Sequence, residues 1–239
     1  MKTLETKLIS WLKAKIKESG AKGLICGLSG GVDSSVVAGL MKKAVAKNHL
    51  CLIMPCHSVE TDAQDAYSVA RKFGLNVEKV QISEVYNTFL KILPEGNDLA
   101  KANLKPRLRM ITLYYFANKL NYLVVGTGNK SELLMGYFTK YGDGGVDLLP
   151  LGNLLKKDVR QLAAHLGVPQ NIIDKPPSAG LWHGQTDEGE MGITYNQLDS
   201  ILEDLQKNKK PKAPKPLVDK VKKKMKISGH KREGAGIFK

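Results

Sequence analysis

The run Gly27-Leu28-Ser29-Gly30-Gly31-Val32-Asp33-Ser34-Ser35 gathers the residue types that hold phosphate. Two adjacent glycines let the backbone curl into a concave nest of N–H donors, and a helix start adds the positive end of its dipole. Ser29, Ser34 and Ser35 supply hydroxyl donors. Asp33 is out of place in a pure anion site unless a metal ion comes with the phosphate, so the run predicts a nucleotide–Mg2+ site. An ordinary glycine turn is the plain alternative; four phosphate-compatible residues around Gly30-Gly31 argue against it. The run lacks both the Gly-Lys-Ser/Thr ending of a Walker A loop and the Gly-x-Gly-x-x-Gly dinucleotide fingerprint.

The surrounding pattern supplies elements to position such a loop. Apolar strand-like runs at 24–28, 50–54, 77–82 and 122–126 alternate with helical patterns at 33–47, 62–73 and 103–120. That alternation predicts an α/β fold, a doubly wound parallel sheet with helices on both faces. Ligands in such sheets bind beyond the carboxyl ends of the strands. The loop follows the first strand and Gly126-Thr127-Gly128-Asn129 follows the fourth, so both belong to one crevice. Thr61-x-x-Gln64 and Thr194-x-x-Gln197 read as capping boxes. A helix is expected over 156–166, stopped by Gly167 and Pro169. Leu4, Leu8, Ile9, Leu12 and Ile16 make one face of an N-terminal amphipathic helix. Pro106 predicts a helix start or a kink. The polar run 183–189 is expected to be a mobile loop.

The 239 residues suit one α/β domain with a modest appendage. No apolar run is long enough to span a bilayer, and the first residues lack the apolar core of a signal peptide. Cys26, Cys51 and Cys56 form no Cys-x-x-Cys pair, and the five histidines show no ligand spacing. Buried free thiols in a reducing, cytoplasmic setting are the expectation. His57 and His183 read as surface or loop residues, and Trp182 as packing.

The net charge of +14 raises the question of nucleic acid. Residues 207–239 carry 13 Lys/Arg against two acids, which leaves 24 basic and 21 acidic side chains over the first 206. The basicity thus belongs to the tail, and the nearly balanced body argues against a nucleic-acid module. The expected division is a domain over 1–206 and, over 207–239, a Lys/Pro linker with a basic segment. That segment is either solvated or closes over an anionic substrate.

The pattern Ser-Gly-Gly-x-Asp-Ser resembles the pyrophosphate loop of the N-type ATP pyrophosphatases, which cleave ATP to AMP and pyrophosphate. Downstream, Arg107-Leu108-Arg109-Met110, Gly126-Thr127-Gly128-Asn129-Lys130-Ser131-Glu132, Tyr137-Phe138-Thr139-Lys140-Tyr141-Gly142-Asp143-Gly144-Gly145 and Lys175-Pro176-Pro177-Ser178-Ala179 narrow this. Together they look like bacterial ammonia-dependent NAD synthetase, from about residue 23 to 195 and again near His230-Lys231. The resemblance implies an adenine nucleotide alpha hydrolase-like fold and a ligase that amidates deamido-NAD through an acyl adenylate. ATP, deamido-NAD and ammonia would be its substrates, and a homodimer its assembly. Only a short helix precedes the loop, so free ammonia is the expected nitrogen source.

By that resemblance, Gly27, Leu28, Ser29, Gly30, Gly31, Val32, Asp33 and Ser34 bind ATP, with Thr127, Lys156 and Ser178. Asp33 and Glu132 hold Mg2+. Asp33 and Lys156 carry the catalysis. Arg107, Lys140, Asp147, His230 and Lys231 bind deamido-NAD. Blander roles fit the same residues: surface arginines on a helix, a dipole-complementing Glu132, a solvated Lys156, and a basic tail at His230-Lys231. Another ATP pyrophosphatase, such as a tRNA-modifying enzyme, is the nearest alternative. It lacks support from paired cysteines or an RNA-binding domain.

Overall fold

The computed structural model describes residues 1–182 and 184–238. His183 therefore lies outside the described residues. Helix α1 (Lys2–Ser19) leads to β1 (Gly23–Gly27), α2 (Val32–Val45), β2 (His49–Ile53), α3 (Glu60–Phe73) and β3 (Val77–Lys79). Next come α4 (Ser83–Ile92), α5 (Asp98–Leu120), β4 (Tyr122–Val124) and α6 (Lys130–Met135). The C-terminal part carries α7 (Lys156–Leu166), α8 (Gln170–Asp174), α9 (Asp187–Met191), α10 (Tyr195–Gln206) and α11 (Lys215–Ile227).

The sheet is parallel throughout, in the order β3-β2-β1-β4. Alternate residues of β1 feed two cores, as a strand buried on both faces requires. Leu24 and Cys26 pack with α2, α3 and α7, whereas Ile25 packs with α4 and α5. The chain steps outward from β1 to β3 over one face, then returns over the other to place β4 beside β1. That reversal puts the loops after β1 and β4 side by side at the sheet's switch point. The doubly wound parallel sheet expected from the alternation is the observed one.

The expected apolar face of α1 packs on α2, with Leu12 fully buried. Cys26 and Cys51 face each other across β1 and β2 with sulfurs 3.8 Å apart, and all three cysteines are free and buried. Among the described residues no helix is long and apolar enough to cross a membrane.

Several boundaries differ from expectation for local reasons. Strand β3 stops at Lys79, although Val80 N and Ile82 N still donate to Ile53 O and Pro55 O. Helix α3 begins at Glu60, which puts Thr61 inside it, and no Thr61 capping box forms. Helix α5 starts at Asp98 because the Asn97 side chain accepts from Ala100 N at 2.9 Å. Pro106 thus lies inside the helix rather than at its start, where its missing N–H releases only one carbonyl. The Thr194 capping box forms as expected.

The polar run expected to be a mobile loop instead enters α9, capped by Thr186, and buries Asp187. Basic α11 is likewise no solvated appendage. Its Val218 and Val221 are buried with Met135, Leu155, Tyr195, Leu198 and Leu202 in a third core. Gly136 adopts a left-handed φ of 67° here, and a Cβ on it would lie 2.1 Å from the Ser228 side chain of the tail.

Candidate active site

A cleft of about 810 Å³ opens beyond the carboxyl ends of β1, β2 and β4. Its wall includes Gly27, Leu28, Ser29, Gly31, Val32, Asp33 and Ser34, from the end of β1, the loop after it and the first turn of α2. Gly31 caps α2, whose first-turn N–H groups have no partner within the helix. Ser29 Oγ lies 3.1 Å from Ser34 Oγ, and Ser34 Oγ and Ser35 Oγ donate to Gly31 O. These hydroxyls brace the loop from within. Gly30 is not part of the wall. It holds φ at 82°, and a Cβ there would meet Asp62 O at 2.4 Å. Its role is to let the loop pass close under α3.

The polar centre forms where three segments meet. Lys156, the first residue of α7, is buried and sends Nζ to Asp33 Oδ2 at 2.5 Å and Glu132 Oε1 at 3.1 Å. Its place is set by the N-terminus of α7: Asp199 accepts from Lys157 N and Ser131 Oγ, and Ser131 Oγ accepts from Lys156 N. Buried Asn129 joins the loops after β1 and β4. It donates to Asp33 Oδ1 at 2.8 Å and caps α6 in a reciprocal box with Glu132. The Tyr195 ring lies 4.9 Å from Lys156 Nζ, and its hydroxyl donates to Asp187 Oδ2 at 2.8 Å.

Burial opposes each of these charges, and their mutual contacts decide the balance. Burial pushes Glu132 up to about 7; Lys156 pulls it down, while Asp33 and Asp187 push it further up. Burial disfavours the Lys156 ammonium, but Asp33 and Glu132 outweigh it and hold its pKa above the usual lysine value. Burial also raises Asp187, against the pull of Lys156. The centre therefore keeps a fixed cation at Lys156, beside Asp33 and Glu132.

Asp33 in the first turn of α2 and Glu132 in the first turn of α6 reach Lys156 Nζ from two segments that follow different strands. Among the described residues no three His, Cys, Asp or Glu side chains form a metal centre. Two hard oxygen donors beside the glycine-serine loop fit the donor set of Mg2+, which takes few protein carboxylates and completes its shell with phosphate and water.

Thr127, Ser178 and Lys231 also line the cleft. Lys231 Nζ donates to Gly136 O and Phe138 O, both at 2.8 Å. Arg107, Lys140 and His230 lie together but outside the cleft wall: Arg107 reaches Lys140 O, and Lys140 Nζ reaches His230 O at 2.6 Å. Asp147 is occupied by Tyr114 OH and Val124 N. Residues two apart on a helix face different ways, and Arg109 rather than Arg107 turns into the cleft, donating to Met54 O at 3.2 Å.

Asn129, Arg109, Asp187 and Tyr195 were not assigned from sequence. The Asn-x-x-Glu capping pattern was a usable signal for Asn129. The others are identified only by packing.

A sequence model of the NAD synthase family matches residues 4–235. The chain belongs to the NAD synthase family. The NH(3)-dependent NAD(+) synthetase of Carboxydothermus hydrogenoformans is 55% identical over 201 residues, covering 82% of this chain and 83% of that protein. Among solved structures, NMN synthetase from Francisella tularensis superimposes with a TM-score of 0.92 at 39% identity, covering 99% of this chain and 97% of that one. The NH3-dependent NAD synthetase from Campylobacter jejuni superimposes with a TM-score of 0.87 at 30% identity, covering 100% and 98%. The family expected from the loop and the downstream motifs is the one found.

Proposed function

We propose that this member of the NAD synthase family amidates deamido-NAD to NAD with ammonia, through an acyl adenylate, releasing AMP and pyrophosphate. The observation that carries the reading is the meeting of Asp33, at the end of the glycine-serine loop, and Glu132 on Lys156 Nζ, in a chain of this family. A carboxylate is a poor acceptor for ammonia because oxide would have to leave. Adenylation makes AMP the leaving group.

In this reading Gly27, Leu28, Ser29, Gly31, Val32 and Ser34 cradle the pyrophosphate, with Gly30 shaping the loop. Thr127 and Ser178 contact ATP. Lys156, held protonated, faces the negative charge that grows at the α-phosphate as the nicotinate carboxylate attacks. Asp33 and Glu132 would hold Mg2+, which supplies charge neutralisation on the phosphates. Asn129 keeps Asp33 oriented, and Tyr195 covers Lys156 and limits its approach by water. Arg107, Lys140, Asp147, His230 and Lys231 bind deamido-NAD, with the basic tail segment closing on the substrate. The protein works in the cytoplasm as a homodimer.

The experiment supplies ATP, Mg2+, ammonium and deamido-NAD to the purified protein. AMP and pyrophosphate are expected one-for-one with NAD. AMP release that ignores deamido-NAD overturns the reading. The likeness to an NMN synthetase favours one second reading, amidation of nicotinic acid mononucleotide. Comparing kcat/KM for the two acceptors side by side decides between them.

A further inference from the structure

Helix α5 carries a lysine on its buried side. Lys105 shares a face with Ala102, Leu108 and Arg109, three and four residues away, and is 7% exposed. Among the described residues its Nζ donates to one oxygen, Leu181 O at 2.7 Å, and lies 5.5 Å from the centre of the Tyr86 ring. No carboxylate among the described residues pairs with it. Burial lowers its pKa, with Cys56 opposing and Arg109 adding to the effect. A buried ammonium without a counter-ion works against stability, and an apolar side chain of similar length would serve the core better.

What Lys105 holds is the segment that carries Ser178. Residues 175–182 have no helix or strand of their own and border the cleft. At the near end, Lys175 Nζ reaches Asp62 and Asp65 of α3 at 2.8 and 2.6 Å. Midway, Asp187 N donates to Pro177 O. At the far end, Leu181 O takes the Lys105 bond, and Leu181 N donates to Gln185 Oε1 at 2.7 Å. Ser178 lies between the two fastened ends.

We propose that Lys105 is a positioning residue: its bond to Leu181 O sets the far end of 175–182 and thereby holds Ser178 against ATP. The assignment rests on the reading of Ser178 as an ATP contact. It accounts for a charge that the core does not need, at a point 76 residues away in sequence from its acceptor.

Lys105→Met keeps the buried stem and removes the ammonium. A merely structural lysine predicts a lower melting temperature. A positioning lysine predicts an unchanged or higher one, together with a KM for ATP raised on the order of tenfold. The KM for deamido-NAD then stays within about twofold, and Lys105→Arg recovers part of the loss. A second readout needs no turnover. In a Trp11→Phe background, Trp182 is the one remaining tryptophan, and Lys105→Met should make it clearly more accessible to acrylamide. Unchanged quenching, or both KM values moving together, overturns the proposal. Wild-type protein that makes no NAD overturns the functional reading instead, and the quenching comparison still decides the role of Lys105.

Discussion

Lys156 Nζ stands 2.5 Å from Asp33 Oδ2, across 123 residues of chain. The pair forms because α7 packs its N-terminus against α2 and the loop after β1, so the cation of the centre arrives from a part of the chain with no strand of its own. Asp33 accepts from Lys156 on one oxygen and from Asn129 on the other. It is the point on which three segments are aligned.

Asp33→Asn keeps the shape and removes the charge. Pyrophosphate release should fall by about 10²-fold or more, in line with loss of a central electrostatic group. Glu132→Gln should act in the same direction, and both variants should need more Mg2+ for half-maximal rate. The check is a magnesium titration of pyrophosphate release. Full activity in both variants removes the metal assignment.

Gly30→Ala places a Cβ 2.4 Å from Asp62 O on a backbone at φ 82°. Strain and crowding together should cost on the order of 1–3 kcal/mol. Because Asp62 also holds Lys175, ATP binding should weaken along with stability. Thermal melts with and without ATP measure both effects.

Val221 is fully buried in the third core. Val221→Ala should cost about 2 kcal/mol, or about 4–8 °C in melting temperature for a chain of this size. Lys222→Ala, on the neighbouring exposed position, should stay within about 0.5 kcal/mol. Equal effects from the two would mean that α11 is the loose appendage suggested by its composition.

His49 gives the fold an acid sensitivity. It is 2% exposed, and its Nε2 accepts from Asn76 N, which requires the neutral ring. Burial, helped by Lys42, holds its pKa below the ordinary imidazole value. The unfolded chain therefore takes up the proton first as pH falls. The contribution of His49 is complete above about pH 6.5 and shrinks below it, by no more than about 1.4 kcal/mol per pH unit. Urea unfolding at pH 7.5 and pH 5.5 should show a larger loss for the wild type than for His49→Asn.

Much of this architecture was legible in local pattern. The glycine-serine loop, the alternation of strands and helices, the apolar face of α1 and the Thr194 cap all depend on residues within a few positions of one another. A local signal misleads where it has a nearby rival. Thr61 fits a capping box, but α3 starts two residues earlier than that cap requires, at Glu60. Pro106 predicts a helix start or a kink; the Asn97 cap removes only the start, because α5 begins at Asp98 and carries Pro106 inside it. The run at 183–189 was polar enough for a mobile loop, yet residues 187–189 belong to a helix that buries Asp187.

From the sequence alone came the glycine-serine loop, the parallel α/β plan and the family, since turn chemistry, hydrophobic period and motif order are properties of contiguous residues. The tertiary structure decided what those residues meet: Lys156 and Asn129 on Asp33, Arg109 rather than Arg107 in the cleft, Lys105 on the Leu181 carbonyl, and α11 in a core. Each of these contacts depends on the direction from which a packed helix arrives at the sheet's switch point. That direction is set by the burial of whole faces, which no short stretch of chain specifies.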